Sequence, residues 1–219
     1  MNEIVGLLWQ ATLETLYMVA LSACVSGLFG LIGGVLLVIT APGNIAAAPL
    51  FWRILTAFVN FGRSVPFIIL MVAVVPFTRL IVGTSIGTDA AVVPLIIAAV
   101  PYVSRLVENA LLEVDRGVIE AVITMGATPW HVVVKCYLPE AVPSLFRSLT
   151  MMSITLVSYS AMAGAVGGGG LGDLAIRYGY QRFRPDVTIW TVLLLVALVQ
   201  LLQFTGDRFA RHFDRRQHG

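Results

Sequence analysis

The chain has 219 residues, 58% of them hydrophobic and only 12% charged, with a formal net charge of +2, and its mean hydropathy is +0.89. Such a balance excludes a soluble globular domain and offers no extended basic surface for nucleic acid. What remains is an integral membrane protein, whose spanning helices each need roughly 20 mostly apolar residues.

The few charges divide the sequence into about five spans, so the expected fold is an all-α polytopic membrane protein, a single domain over residues 1–219. No charge occurs between Glu14 and Arg53, and Leu16 to Ile39 alone is long enough to cross. The stretch from Ala41 to Asn44, with Pro42 and Gly43, then ends the run. A second span from about Leu55 to Phe77 contains Arg63 and Pro66, with Arg79 near its far end. The third, Ala90 to Leu112, is apolar in its outer half despite Pro94 and Pro101, and carries Arg105, Glu108 and Asn109 towards its inner end. Prolines are tolerated there because neighbouring helices satisfy the freed backbone groups. The fourth, Ser148 to Val166, and the fifth, Val187 to Gly206, are uncharged throughout.

Lys and Arg concentrate in short cytoplasmic loops, and an odd number of spans separates the termini. The first fourteen residues contain neither Lys nor Arg but carry Glu3 and Glu14, whereas the tail holds Arg208, Arg211, Arg215 and Arg216. The N-terminus is therefore expected outside and the C-terminus in the cytoplasm. Arg53, Arg63, Arg105, Arg116, Lys135 and Arg147 then fall on or near the cytoplasmic side, with Arg79, Arg177, Arg182 and Arg184 outside. The start lacks the positive region and cleavage site of a signal peptide, so the first span is expected to remain in the mature chain.

Cys24 and Cys136 show no metal-ligand spacing, and His131, His212 and His218 form no ligand set. No metal site and no catalytic residue are expected. The basic tail suits anionic lipid headgroups at a membrane surface rather than nucleic acid.

Between the third and fourth spans lies a polar-punctuated segment, residues 115–139. Asp115 to Met125 is predicted to form a short helix, its acidic start favoured by the helix dipole. Gly126 is free to turn the chain at positive φ, Thr128 caps a second helix, and Pro129 fits its first position. That helix should continue from Trp130 to Tyr137 and stop at Leu138 and Pro139, with Pro143 at the start of the fourth span. Two short helices at an angle, with Ala121 and Ala127 allowing close approach, form a shape that a partner groove can grip. An amphipathic hairpin lying on the bilayer is the plainer alternative.

The spacing favours the first reading. Glu120, Ala121, Gly126, Leu138 and Pro139 match the pattern Glu-Ala-Ala, three residues, Gly, nine residues, Ile-x-Leu-Pro. That segment resembles the signature loop of bacterial ABC-importer permeases, with Val122 in place of the third Ala and Cys136 in place of Ile. The resemblance implies coupling helices seated in a cleft of a cytoplasmic ATPase, with docking carried by Glu120, Ala121, Gly126, Ala127, Thr128, Pro129, Leu138 and Pro139. Most of residues 60–180 further resembles the methionine-importer branch, through Arg63 to Leu70, Pro76 to Arg79, Val82 to Gly87, Val107 to Glu113 and Tyr159 to Val166. The first span and the tail match by hydrophobic pattern and by Gln203 to Asp207. This likeness implies a homodimeric permease of the bacterial inner membrane. It would pair with two ATPase subunits, which hold the ATP and Mg, and be fed by an extracytoplasmic methionine-binding lipoprotein. No cofactor is expected in this chain. An importer for another amino acid or a related sulfur compound is the alternative.

The glycine-rich run Gly164 to Gly172 lacks the Gly-Lys-Ser/Thr ending of a phosphate loop. It is expected to be a flexible break after the fourth span, with Asp173 capping an outer segment from Leu174 to Tyr180. Tyr159, Ser160 and Met162 would then border the translocation path, suited to an amino acid by small polar groups and weak apolar contacts. Arg105 and Glu108, three apart, can pair on one helical face, and Arg63 can snorkel or pair with Glu108. An intramembrane serine protease needs a His at membrane depth, and all three histidines fall outside the spans. A stand-alone channel would conduct without nucleotide.

Overall fold

The computed structural model describes residues 2–213, so Arg215, Arg216 and His218 lie outside the described residues. Among those described, the regular secondary structure is entirely helical. The order is α1 (Asn2–Ile39), α2 (Pro49–Ser64), α3 (Phe67–Ala73), α4 (Val75–Val82), α5 (Thr88–Leu112), α6 (Arg116–Thr124), α7 (Pro129–Val132), α8 (Leu138–Gly164), α9 (Gly170–Leu174) and α10 (Pro185–Phe213). A π-helical turn, Val133–Tyr137, joins α7 to α8, and another, Ala175–Tyr180, extends α9. Four helices are long and apolar enough to cross a membrane, and the pair α2 and α3, bent by 102° at its break, is one further candidate span by length and composition.

That bend falls where Pro66 removes a backbone donor and forces the residue before it out of the helical region. Val65 accordingly sits at φ −86° and ψ 124°. The first span is longer than the apolar run suggests. Its 38 residues measure about 57 Å at 1.5 Å each, well beyond about 30 Å of hydrocarbon.

The bundle is organised around α5. In the most apolar stretch of α5, 56% is buried, against 11% for α10, which leaves α10 at the periphery. Association in lipid depends on close backbone approach, and α1 supplies it with Gly30, Gly33 and Gly34. A Cβ on Gly34 would stand 2.5 Å from Cβ of Val107 and 2.7 Å from the Ser104 carbonyl, so only hydrogen fits against α5. The core that results includes Met18, Leu95, Val103, Val107, Met152 and Leu156. A second, smaller cluster joins Ala11 on α1 to Leu171, Leu174 and Val187. At the opposite end of the bundle, Phe146 of α8 stacks on Phe209 and Phe213 of α10. The described ends of the chain therefore lie at opposite ends of the bundle.

Candidate functional site

The segment 115–137 builds itself from local rules. The Asp115 carboxylate accepts hydrogen bonds from Gly117 N–H at 2.8 Å and Val118 N–H at 3.2 Å, satisfying donors that open α6. At the other end Gly126 takes φ +84°. Its N–H returns to the Ile123 carbonyl at 2.9 Å, and Ala127 N–H returns to Val122 at 3.3 Å, the paired bonds of a Schellman motif. Thr128 then accepts from His131 N–H at 3.4 Å, with Pro129 opening α7.

One expectation fails here. Leu138 and Pro139 do not stop the second helix, which runs through the π-helical turn into α8, so residues 129–164 are continuously helical. A proline interrupts a helix by its missing donor and its clash with the carbonyl one turn back. The wider π turn immediately before Pro139 absorbs both. Cys136 is buried within that turn.

The two faces of the segment differ sharply. Ile119, Val132, Val133, Cys136 and Tyr137 are buried, and Val122, Ala127 and Leu138 pack partly against the main core. Glu120, Ala121, Gly126, Thr128, Pro129 and Pro139 are exposed. So Ala127 and Leu138 belong to the supporting face, while the other six predicted docking residues are accessible. The outer face also carries Met125, 77% exposed, and Trp130, 71% exposed. These two were missed as docking residues, although large apolar side chains flanking a turn glycine are themselves a signal. A groove of about 590 Å³ lies between residues 41–45 and the start of the segment, lined in part by Arg116, Glu120, Ile123 and Tyr137. Tyr137 donates to Asn44 Oδ1 at 3.4 Å, tying the two loops together.

The three predicted path residues are not brought together. Tyr159 stacks on Phe67 with centroids 4.5 Å apart and borders a cavity with Arg63 and Tyr102. Ser160 is buried and donates to the Val157 carbonyl at 2.8 Å. Met162 faces a separate apolar groove with Ile176 and Val196. Successive helical residues are about 100° apart, which scatters them. Arg105, by contrast, pairs with Glu108 at 2.5 Å as the spacing predicts, and also donates to Asn60 Oδ1 at 2.7 Å.

The glycine run is a packed turn rather than a loose break. A Cβ on Gly172 would overlap the Ala161 backbone, and one on Gly164 would lie 2.7 Å from the Gly172 carbonyl carbon. Asp173 does not cap the outer segment, because α9 begins earlier, at Gly170, and Asp173 instead pairs with Arg177 at 2.6 Å. The cap comes from α1. Gly170 N–H donates to Glu14 Oε2 at 2.8 Å and Leu171 N–H to Thr15 Oγ1 at 2.9 Å.

A helical membrane bundle with an exposed hairpin continuous with one span is an architecture suited to a transport permease. Residues 38–219 match the family described as binding-protein-dependent transport system inner membrane component. The chain is 52% identical over 210 residues to a probable D-methionine transport system permease protein of Vibrio cholerae, covering 96% of this chain and 93% of that relative. It is 41% identical over 209 residues to a methionine import system permease protein of Bacillus subtilis, covering 95% and 94%. A solved inward-facing conformation of the MetNI methionine ABC transporter is similar at TM-score 0.96 and 50% identity, covering 98% of this chain and 100% of that one. The chain belongs to the binding-protein-dependent transport inner membrane component family and is a multi-pass permease of the inner membrane.

Proposed function

We propose that this chain is the permease subunit of an ATP-driven methionine importer, one domain over residues 1–219 in which residues 115–139 form the coupling loop. The substrate assignment is supported by relatives named for methionine transport across nearly the whole length. Two copies line the path between them, since a bundle of about five spans around a filled core encloses no channel of its own. Hydrolysis of ATP with Mg belongs to two separate ATPase subunits, and an extracytoplasmic methionine-binding lipoprotein delivers the cargo. Lys and Arg placement puts the N-terminus outside and the 115–139 loop in the cytoplasm, within reach of the ATPase.

The observation that carries this reading is the helical continuity of residues 129–164. It joins the exposed hairpin to a membrane span as continuous helix, so a push on Trp130 is carried along that helix into the membrane part. Glu120, Ala121, Gly126, Thr128, Pro129 and Pro139 form the accessible docking surface, with Ala127 and Leu138 holding it from behind. Tyr159 borders the path, with Ser160 and Met162 on adjoining faces of the same helix. Proteoliposomes containing the permease, its ATPase and the binding protein should accumulate labelled methionine only with ATP. Uptake persisting without the ATPase would mean a channel instead, and uptake unaffected by excess unlabelled methionine would mean a different cargo.

A further inference from the structure

The cavity beside Tyr159 lies near the middle of the bundle. Ala98 and Tyr102 line it from the centre of α5 (Thr88–Leu112), and the second span is interrupted alongside, between Ser64 and Phe67. Transporters place substrates at such interruptions because a broken membrane helix exposes backbone dipoles that a continuous one keeps paired. Arg63 stands at the end of α2 and lines the cavity, and its charge acts on Glu108 without a direct hydrogen bond to it. A cation within a span costs at least a few kcal/mol when nothing compensates it, so its retention calls for a partner. Glu108 is held directly by Arg105, which also holds Asn60, so Arg63 shares that carboxylate only at longer range and its guanidinium fork keeps its donors for a ligand. Beside Gly62, Val65 and Ala98 the lining includes three aromatic rings: Tyr159 lies parallel to Phe67 at 4.5 Å, and the Tyr102 hydroxyl accepts from Thr155 at 3.5 Å.

A guanidinium fork recognises a carboxylate in a bidentate manner, and the face of a tyrosine ring attracts an ammonium group. The two together match the head group of a zwitterionic amino acid. At about 140 Å³ the cavity is smaller than a site for a whole ligand, which typically takes upwards of about 300 Å³. It therefore holds the head group and leaves the side chain outside. We propose that Arg63, with Tyr159 and Tyr102, forms an intramembrane subsite for the α-carboxylate and ammonium of the transported amino acid. This rests on the reading of the chain as an amino-acid importer.

The test uses the permease–ATPase complex purified without binding protein, titrated with labelled methionine and competed with methionine methyl ester, which lacks the carboxylate. Arg63→Gln is expected to weaken binding by more than about tenfold and Arg63→Lys by less, because a charge-assisted pair is lost or only weakened. The ester should fail to displace methionine from the unaltered complex. Equal binding by Arg63→Gln, effective competition by the ester, or no saturable binding at all overturns the subsite. If a variant fails to assemble by size-exclusion chromatography, the ester competition still decides. ATP-driven uptake by the unaltered complex with its binding protein is measured alongside. Absence of methionine uptake there refutes the importer assignment itself, whereas uptake with binding indifferent to Arg63 refutes the subsite alone.

Discussion

The two ends of the bundle hold their turns by opposite means. At the 115–137 end every cap is local: Asp115 serves α6, Gly126 closes it, and Thr128 opens α7, all within a few residues of the groups they satisfy. At the glycine end the caps come from far along the chain, with Glu14 and Thr15 of α1 receiving the N–H groups of Gly170 and Leu171. Tyr17 adds a hydrogen bond to Asp89 at 2.8 Å, and Gly87 donates to the Gly167 carbonyl at 2.9 Å. A turn that supports itself can turn a whole face outward, and Met125 and Trp130 occupy that face. A turn supported by its neighbours is locked into the bundle. The first end is suited to receive a partner and the second to hold helices together.

The largest expected effect tests the locked end. Gly172→Val would drive a side chain into the Ala161 backbone, and overpacking of this kind costs roughly 1–3 kcal/mol or more. Loss of the monodisperse peak on fluorescence-detected size-exclusion chromatography is expected; a normal peak would show that this turn yields, and the contrast between the ends would weaken. The next effect belongs to the free end. Met125→Glu combined with Trp130→Glu should leave the permease folded yet reduce ATP-driven uptake by more than about tenfold, as when central apolar anchors of an interface are lost. Chromatography of the permease alone and uptake by the reconstituted complex separate the two outcomes.

Smaller changes sharpen the same contrast. Glu14→Gln keeps a carbonyl acceptor for Gly170 but removes its charge, and a hydrogen bond to a charged group contributes about 1.5 kcal/mol or more. The apparent Tm in detergent should fall by a few degrees, roughly as a loss of that size does in a chain this long, with ATPase association unchanged. Asp115→Ala removes a local cap worth about 1 kcal/mol. Its effect should be confined to faster hydrogen exchange over 116–124 with no change in Tm; exchange spreading to α5 or α8 would mean that the hairpin is not self-supporting.

What the sequence made legible follows the same division. The caps at Asp115, Gly126 and Thr128 were readable because a cap and the groups it satisfies are near neighbours, and the pair Arg105 and Glu108 because three residues fix a common face. The apolar runs located the spans for the same reason. Continuity through Pro139 was not readable, since it depends on a π turn whose formation the pattern of residue types does not announce. Nor was the packing of Gly172 against Ala161, or the capping of Gly170 by Glu14 across 156 positions, because tertiary approach decides both. Tyr159, Ser160 and Met162 were grouped by adjacency, while helical geometry sends them three ways. Arg63 was visible as an unusual intramembrane charge, but its neighbours Tyr102 and Tyr159 come from two other helices.

The central claim is that the exposed hairpin is the surface through which the ATPase drives this permease. A photo-crosslinking amino acid in place of Trp130 tests it in the assembled complex, with the same probe in place of Leu201, equally apolar and exposed on peripheral α10, as the control. A crosslink from position 130 to the ATPase subunit is expected, and none from position 201. No ATPase adduct at 130, or equal adducts at both positions, would contradict it.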